Sequence, residues 1–261
     1  MNSVDIVAKI SVLKKNKKQY FSNSCILFSQ YPEKKWEVLE TEQSIIIIKR
    51  EKEIKRVVFF TVNFEDLKSL IQNVGENVVI EVISKDKNYL KDEMERIGFK
   101  KLTTQVKLSC KKVSEVFEMN SEMIKFYNPL IGELALESDV DEIDNILWNT
   151  FDTRSSHLKT KAELSEQIAR GEFYVHRNEK NRIDMLIQQV PSLKSFYFNQ
   201  VINKGDTVIF HGLTLNLLKK YCDNGGEYAY AWVNEGNVAS FKYFNKYKLM
   251  EDGIYNSIYC N

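Results

Sequence analysis

Two stretches of the chain, residues 75–109 and residues 225–259, repeat one pattern that predicts a strand, a helix and a second strand. In the later stretch, residues 228–233 predict a buried strand and residues 238–247 predict a short aromatic-rich helix. A closing strand follows Asp252-Gly253. In the earlier stretch, a strand at 78–83 and a helix at 87–97 precede a Gly98-Phe99 pair and a closing strand.

The two stretches align residue by residue. Placing Gly75-Glu76 over Gly226-Glu227 puts Val82 over Val233, and one inserted residue then puts Phe99 over Leu249. A repeat of this kind predicts two similar halves in tandem. The length of 261 residues agrees, since small domains have about 150 residues each. We expect a degenerate domain over residues 1–125 and a more complete one over residues 126–261.

The composition excludes several classes of protein. Hydrophobic residues make up 43% and charged residues 28%, as in an ordinary soluble globular protein. Because 37 Lys and Arg residues face 36 Asp and Glu residues, a strongly basic nucleic-acid binder is not expected. The cysteines and histidines lack metal-ligand spacing, so we expect no metal and reduced thiols. Without a signal peptide or an apolar run of about 20 residues, a soluble cytoplasmic protein is expected.

The later half predicts a complete order of elements. A strand at residues 131–137, a helix opening at 138–144 and a helix at 161–170 come first. Strands at 172–176, 183–190 and 195–202 follow, and then a helix from about Gly212 to Tyr221. In the earlier half, residues 44–48 and 56–60 predict a hairpin, and residues 64–74 a helix with one apolar face.

The end of the chain resembles the C-terminal part of a GCN5-related N-acetyltransferase domain. Members of that family commonly have Asn, then a small residue, a Tyr and a Gly-Phe pair at fixed spacing. The corresponding residues here are Asn237, Ser240, Phe244, Lys248 and Leu249, so the Tyr and the Gly-Phe pair are replaced. The resemblance implies an α/β (α+β) fold with two tandem domains, each a mixed, mostly antiparallel sheet flanked by helices.

The resemblance also implies acetyl-coenzyme A as cofactor. In the family, its pyrophosphate is bound by a loop between the fourth strand and the next helix. The matching segment begins at Val201 and includes Asn203, Lys204, Gly205 and Gly212, without the usual glycine signature. The pantetheine arm is expected between the strands that end at Val201 and Val233, near Asn237, Ser240 and Phe244. Asn237 is also expected to cap the helix that follows it.

The implied reaction is acetyl transfer to an amine of a small molecule or peptide. A tyrosine usually returns a proton to the leaving thiolate, and Tyr243 or Tyr247 are the candidates because Phe244 has no acidic proton. Two alternatives remain open. One is a non-catalytic protein of the same fold that binds a ligand or a partner protein. The other, disfavoured by the net charge of +1 and the short length, is an aminoacyl-transfer protein that acts with transfer RNA.

Overall fold

The computed structural model describes residues 3–15, 20–23, 36–119, 128, 131–192 and 195–261. The chain divides into two compact units. The first unit contains Met1–Gln105, Phe151–Leu158 and Ile254–Asn261, and the second contains Val106–Thr150 and Lys159–Gly253. The predicted domain boundary after residue 125 remains a prediction.

The elements described in the first repeat and its flanks are α1 (Ser3–Lys14), β1 (Phe21–Ser22), β2 (Trp36–Glu40), β3 (Ser44–Glu51), β4 (Ile54–Thr61), α2 (Phe64–Val74), β5 (Val78–Ser84), α3 (Lys91–Arg96), β6 (Lys100–Cys110) and α4 (Ser114–Met119). Those that follow are β7 (Glu133–Leu134), a 3-10 turn (Glu137–Asp139), α5 (Val140–Thr150), α6 (Lys161–Ala169), β8 (Phe173–Arg177), β9 (Ile183–Pro191), β10 (Phe196–Asn203), α7 (Thr207–Asp223), β11 (Ala229–Asn234), α8 (Val238–Asn245) and β12 (Met250–Cys260). The predicted order of the later half, β-α-α-β-β-β-α-β-α-β, is confirmed.

The first unit is built on a mixed sheet with strand order β2-β3-β4-β5-β12. The predicted hairpin is confirmed as β3 and β4, and β3 is buried on both faces. Ile46 and Ile48 join the core beneath α2 and α3, whereas Ile45 and Ile47 pack with α1. The predicted apolar face of α2 is also confirmed, since its buried residues are Phe64, Leu67, Leu70, Ile71 and Val74.

The second unit contains a sheet with strand order β6-β11-β10-β9-β8-β7. β10 pairs with β9 in antiparallel and with β11 in parallel orientation. Aromatic side chains connect its helices to the sheet: Phe196 packs against Tyr221 of α7, and Phe198 against Phe244 of α8. These contacts place α7 and α8 on one face of the sheet, where β10 and β11 meet.

The closing strands of the two repeats are exchanged between the units. β6 ends the first repeat, but its part after Gln105 belongs to the second unit, in which β6 is the neighbour of β11. β12 ends the second repeat, and its residues from Tyr255 to Cys260 pair with β5 in the first unit. The repeated order of elements is thus confirmed, while each repeat completes its sheet with a strand of the other.

Both repeated helices end in the same backbone conformation. Gly98 has φ 100° and Lys248 has φ 58°, so each residue is in the left-handed region. The next residue then bonds back to the helix: the Phe99 N–H donates to Met94 at 3.0 Å, and the Leu249 N–H donates to Phe244 at 3.2 Å. This is the hydrogen bond of a Schellman helix end. Lys248 therefore takes the conformation for which the family uses glycine.

Some predicted boundaries are wrong. The helix expected from Gly212 begins at Thr207, because the Asp206 carboxylate accepts from the N–H groups of Val208 and Ile209 and starts the helix five residues earlier. The strand expected over residues 131–137 is limited to β7, since the 3-10 turn at Glu137 follows it. The helix expected over residues 87–97 forms only from Lys91 to Arg96.

Candidate functional site

The parallel strands β10 and β11 stay together for only three residue pairs. These are Phe196 with Ala229, Tyr197 with Tyr230, and Phe198 with Ala231. Within the described residues 195–261, β10 then continues to Asn203 and β11 to Asn234 without pairing to each other. A bulge in β10 between Phe198 and Gln200 bends the strand here. We call the opening beyond Phe198 and Ala231 the C-terminal wedge.

The first unit contains an opening of the same kind, the N-terminal wedge. β4 and β5 pair in parallel only from Lys55 with Val78 to Val57 with Ile80. The side chain of Asn23, 2% exposed, fills this opening. Its amide nitrogen donates to the carbonyls of Val57 at 3.1 Å and Glu81 at 2.9 Å, and its oxygen accepts from the Phe59 N–H at 2.8 Å. Asn23 thereby satisfies backbone groups of both strands.

The C-terminal wedge is different. No side chain in the described part of the second unit bonds to the backbones of both β10 and β11 as Asn23 does for β4 and β5. The bulge residue Asn199 turns away and donates to Gln188 of β9 at 2.7 Å. The edges of β10 and β11 are therefore the ones that can pair with a bound ligand.

The predicted cofactor residues of the loop, except Gly212, lie at the open end of the C-terminal wedge. Val201 and Asn203 belong to the unpaired end of β10, and the Asn203 side chain accepts from the Gly205 N–H at 3.0 Å. The Lys204 N–H donates to the Asp184 carbonyl at 2.8 Å. A Cβ at Gly205 would lie 2.5 Å from the Asp184 carboxylate, so a side chain there would displace that carboxylate. Gly212 is buried inside α7 and is not in the loop.

The N-terminus of α7 carries its own anion. The Asp206 carboxylate accepts from the Val208 N–H at 2.6 Å and from the Ile209 N–H at 3.2 Å. These N–H groups are among the helix donors that could otherwise bind a phosphate. The corresponding cap of α2 in the first unit is the neutral Asn63, so the carboxylate distinguishes the second unit.

On the other side of the wedge, α8 follows β11. Asn237 caps α8 as predicted, since its side-chain oxygen accepts from the Ser240 N–H at 3.0 Å. Ser240 lies in the first turn, next to this cap. Phe244 is buried against Phe198, with 5.4 Å between the ring centroids, so it packs where the two strands begin to part.

Tyr243 and Tyr247, the predicted proton donors, point towards α7. The Tyr247 hydroxyl bonds to His211 Nδ1, and the Tyr243 hydroxyl bonds to the hydroxyl of Thr214. The two tyrosine rings also contact each other edge to face, with centroids 5.2 Å apart. The Lys246 ammonium lies 2.9 Å from His211 Nε2. These five side chains form one network, which we call the interhelical network.

The groups at the two ends of the interhelical network, Thr214 and Lys246, determine which partner donates in its hydrogen bonds. Thr214 donates its only hydroxyl proton to the Phe210 carbonyl at 3.0 Å, so it accepts from Tyr243. At the other end, the Lys246 ammonium can only donate, so His211 Nε2 accepts from it. The neutral ring then carries its proton on Nδ1, which donates to the Tyr247 hydroxyl.

The pKa values agree with this protonation. Burial raises the pKa of both tyrosine hydroxyls, which stay protonated at neutral pH. Burial, and then the charge of Lys246, lowers the pKa of His211, which favours the neutral ring. These pKa shifts agree with a network in which both tyrosines and His211 are neutral and Lys246 carries the charge.

Sequence reasoning missed several members of this site. The histidines, His211 among them, have no metal-ligand spacing, and neither Thr214, Lys246 and Asp206 nor Asn23 of the N-terminal wedge is among the residues predicted above. A signal existed for Asp206, because Asp before an apolar run is a helix-cap pattern. No local pattern marks Asn23, whose partners lie far away in sequence.

The described residues contain neither a metal-binding cluster nor a helix suited to cross a membrane. No group of three or more His, Cys, Asp or Glu residues there is arranged to hold a metal ion. None of the helices in the same residues combines the length and apolarity that crossing a membrane requires.

Solved structures share this architecture. The chain is similar to a tandem GNAT protein from the clavulanic acid biosynthesis pathway, with 6% identity, a TM-score of 0.57 and coverage of 100% of this chain and 95% of that one. The chain has the fold of the GCN5-related N-acetyltransferases. A GCN5-related N-acetyltransferase from Sphaerobacter thermophilus matches with 9% identity, a TM-score of 0.52 and coverage of 84% and 80%. A conserved protein of unknown function from Staphylococcus epidermidis ATCC 12228 matches with 9% identity, a TM-score of 0.55 and coverage of 90% and 98%.

The likeness is one of structure. No protein-family profile matches the chain, and no curated protein matches it either. The expected tandem acetyltransferase fold is confirmed at this level. The roles of Tyr243, Tyr247 and the cofactor residues remain predictions.

Proposed function

We propose that the second unit is an acyltransferase that binds an acyl-pantetheine donor, acetyl-coenzyme A in the simplest case, in the C-terminal wedge. The acceptor is an amine of a small molecule or peptide. The observation that carries this proposal is the parting of β10 and β11 beyond Phe198 and Ala231. An extended arm with amide groups can pair with both strand edges, because each presents backbone donors and acceptors.

The residues along the wedge fit the arm. Backbone groups of β10 from Gln200 to Asn203 and of β11 from Trp232 to Asn234 are the proposed partners of the pantetheine amides. Asn237 contributes its side-chain NH2, since its oxygen is used by the cap, and Ser240 lies beside it. When bound, acetyl-coenzyme A would supply an acyl group activated as a thioester.

The N-terminus of α7 fits the diphosphate of coenzyme A poorly. Asp206 already neutralises the N–H groups of Val208 and Ile209, and its negative charge repels phosphate. Lys204, two residues before it, provides one opposing charge. In this proposal, donor affinity therefore depends on the arm much more than on the nucleotide.

One donor binds per chain in this proposal. In the N-terminal wedge, the carboxamide of Asn23 already makes the bonds that an arm would make with β4 and β5. The first unit is accordingly proposed to be a structural copy without a donor site.

Tyr243 and Tyr247 are the proposed donors of the proton that the thiolate takes up. Each hydroxyl is now bonded within the interhelical network, so the thiolate would replace a network acceptor for one of them. The Lys246 ammonium lies on the other side of His211 and can restore the proton of Tyr247 through the imidazole.

Calorimetric titration with acetyl-coenzyme A tests the proposal, and we expect one site per chain. Asn237→Ser keeps a capping oxygen and removes the NH2, whereas Asn237→Ala removes both. If Asn237 contacts the arm, both variants bind more weakly, and only Asn237→Ala loses about 1 kcal/mol of stability. Unchanged affinity in both variants would limit Asn237 to capping, and no binding to the unmodified protein would overturn the proposal.

A non-catalytic binding protein is the second candidate. Phe244 at the tyrosine position, Asp206 at the helix N-terminus and the bonded hydroxyls of Tyr243 and Tyr247 all favour it. Mass spectrometry of reaction mixtures with a panel of amines separates the two. Donor binding without any acylated product supports the second candidate.

A further inference from the structure

The face of the second sheet opposite α7 and α8 carries a group of tyrosines. Side chains alternate along a strand, so the residues next to Phe196, Phe198, Ala229 and Ala231 point away from these helices. Tyr197 and Tyr230 lie there side by side, with ring centroids 4.6 Å apart and an interplanar angle of 3°. Tyr228 lies beside Tyr230 at 5.8 Å.

A lysine and an aspartate complete this group. The Lys107 ammonium of β6 lies 5.1 Å from the ring centroid of Tyr230 and 5.5 Å from that of Tyr228. It also lies 3.3 Å from the Asp252 carboxylate of β12. The two charged side chains are 18% and 17% exposed, so solvent reaches both of them. We call these five side chains the tyrosine-face cluster.

We propose that the tyrosine-face cluster binds the acceptor and that this acceptor is a free α-amino acid with an apolar or aromatic side chain. The inference rests on the proposed function for its reaction, but not for its binding site. It names the acceptor class that the wedge alone leaves open.

Position is the first reason. A thioester at the end of an arm in the C-terminal wedge lies where β10 and β11 come together, next to the pair Phe198 and Ala231. Phe244 packs on Phe198 and closes the α8 side at this point. An amine therefore reaches the thioester from the other face, where Tyr197 and Tyr230 form the preceding pair.

Charge is the second reason. An α-amino acid carries an ammonium and a carboxylate joined through one carbon, and Lys107 and Asp252 present the complementary charges 3.3 Å apart. When the amino acid binds, its carboxylate pairs with Lys107 and its ammonium pairs with Asp252, so no charge is left unpaired. A simple amine would pair with Asp252 alone and leave Lys107 without a carboxylate. The tyrosine rings attract the ammonium and stack with an aromatic side chain.

The proposed reaction needs no reactant besides the amino acid and the acyl donor. The bound ammonium loses one proton to solvent, and the free amine attacks the thioester carbonyl. The N–C bond forms and the C–S bond breaks. The attacking nitrogen releases its second proton to solvent, and the thiolate takes up one proton, from the tyrosine hydroxyl proposed above, and leaves as a thiol. The product is an N-acyl amino acid, whose lost positive charge weakens its hold on Asp252.

Direct binding of L-phenylalanine, measured by calorimetry on the full chain without donor, tests the inference. We expect 2-phenylethylamine, which lacks the carboxylate, to bind at least about tenfold more weakly. Equal or tighter binding of 2-phenylethylamine, or no detectable binding of L-phenylalanine, would overturn it.

Two variants assign the charges. Lys107→Met should weaken L-phenylalanine about tenfold and should not weaken 2-phenylethylamine, because the variant has no ammonium left unpaired when the amine binds Asp252. Asp252→Asn should weaken both. Lys219→Met, which changes an exposed lysine paired with Asp223 on α7, is the control and should change neither. A response of L-phenylalanine to the control equal to that of Lys107→Met would contradict the assignment.

A separate titration with acetyl-coenzyme A keeps the two proposals apart. Donor binding without amino-acid binding overturns this inference alone. Amino-acid binding without donor binding supports the site and overturns the proposed transfer.

Discussion

Gly98 and Lys248 occupy equivalent places in the two repeats and share one left-handed backbone, although only one of them is glycine. A Cβ at Gly98 would meet nothing within 4 Å, so the cost of a side chain there is that of the backbone alone. We expect Gly98→Ala to lower the free energy of unfolding by about 1–2 kcal/mol. Lys248→Gly should raise the free energy of unfolding by only about 0.5 kcal/mol. Glycine removes the cost of the left-handed backbone, but it loses more chain entropy on folding, which offsets part of the gain. Urea unfolding measures both, and destabilisation by Lys248→Gly would contradict the reason given.

Asp206 sets the charge at the mouth of the C-terminal wedge. Asp206→Asn keeps an oxygen that accepts from Val208 and Ile209 and removes the negative charge. Coenzyme A should then bind about three- to tenfold more tightly, and this gain should shrink as salt is added. Acetyl-pantetheine, which has no phosphate, is the control. An equal gain for acetyl-pantetheine would show that the carboxylate does not act on the diphosphate.

At the scale of elements, the interhelical network joins α7 to α8. Tyr247→Phe removes the acceptor of His211 Nδ1 and leaves that buried donor without its partner. We expect a loss of about 1–3 kcal/mol in the free energy of unfolding. Tyr243→Phe should also destabilise the protein, because the hydrogen bond between Tyr243 and the buried Thr214 hydroxyl is lost. If either hydroxyl is the catalytic acid, that variant alone also lowers turnover by about ten- to a thousand-fold.

The measurement that separates these roles is turnover at a temperature well below both melting transitions. A purely structural network gives two destabilised variants with equal turnover. A catalytic hydroxyl gives unequal turnover at similar stability, which confirms the assignment for one tyrosine.

At the scale of the whole molecule, one ionic cluster in the first unit joins residues about a hundred positions apart. The buried Arg56 guanidinium bonds to Glu51 at 2.6 Å and to Glu81 at 2.7 Å. It also donates to three backbone carbonyls of the segment Phe151–Leu158, those of Thr153, Arg154 and Ser156. His157 of this segment lies 3.1 Å from Glu51 through Nδ1 and 2.9 Å from Glu81 through Nε2. Both ring nitrogens must donate, so the ring is an imidazolium.

This cluster predicts how stability depends on pH. Burial lowers the pKa of His157, but Glu81 and Glu51 outweigh it and raise the value above 6.5. Its contribution is therefore complete below the unfolded pKa and is lost as pH rises through the folded one. For Glu81, burial raises the pKa, but His157 and Arg56 lower it to about 2. That contribution is present above the unfolded pKa and is lost as pH falls towards about 2.

Urea unfolding of the protein and of His157→Gln checks the alkaline part. We expect the difference in unfolding free energy between them to be larger at about pH 6 than at about pH 9. A difference that does not change with pH would show that the ring is not charged in the folded state.

Local patterns determined most of the elements. The apolar stripe of α2, the hairpin of β3 and β4, and the element order of the later half follow from spacing that a helix or strand imposes on neighbouring residues. The repeat predicted two similar halves in tandem, and the resemblance at the end of the chain implied the acetyltransferase fold. Solved structures confirm this tandem fold. Asn237 as a helix cap was also predictable, because a cap acts within three residues of itself.

Tertiary structure decided the partners. The exchange of β6 and β12, the filling of the N-terminal wedge by Asn23, and the pairing of His211 with Tyr247 each join residues more than thirty positions apart. Either closing strand offers the same backbone groups, and one amide can satisfy any matching strand edges, so the local sequence does not select among them. Selection comes from long-range packing, which brings the Asn23 side chain between β4 and β5 and parts β10 from β11 beyond Phe198 and Ala231.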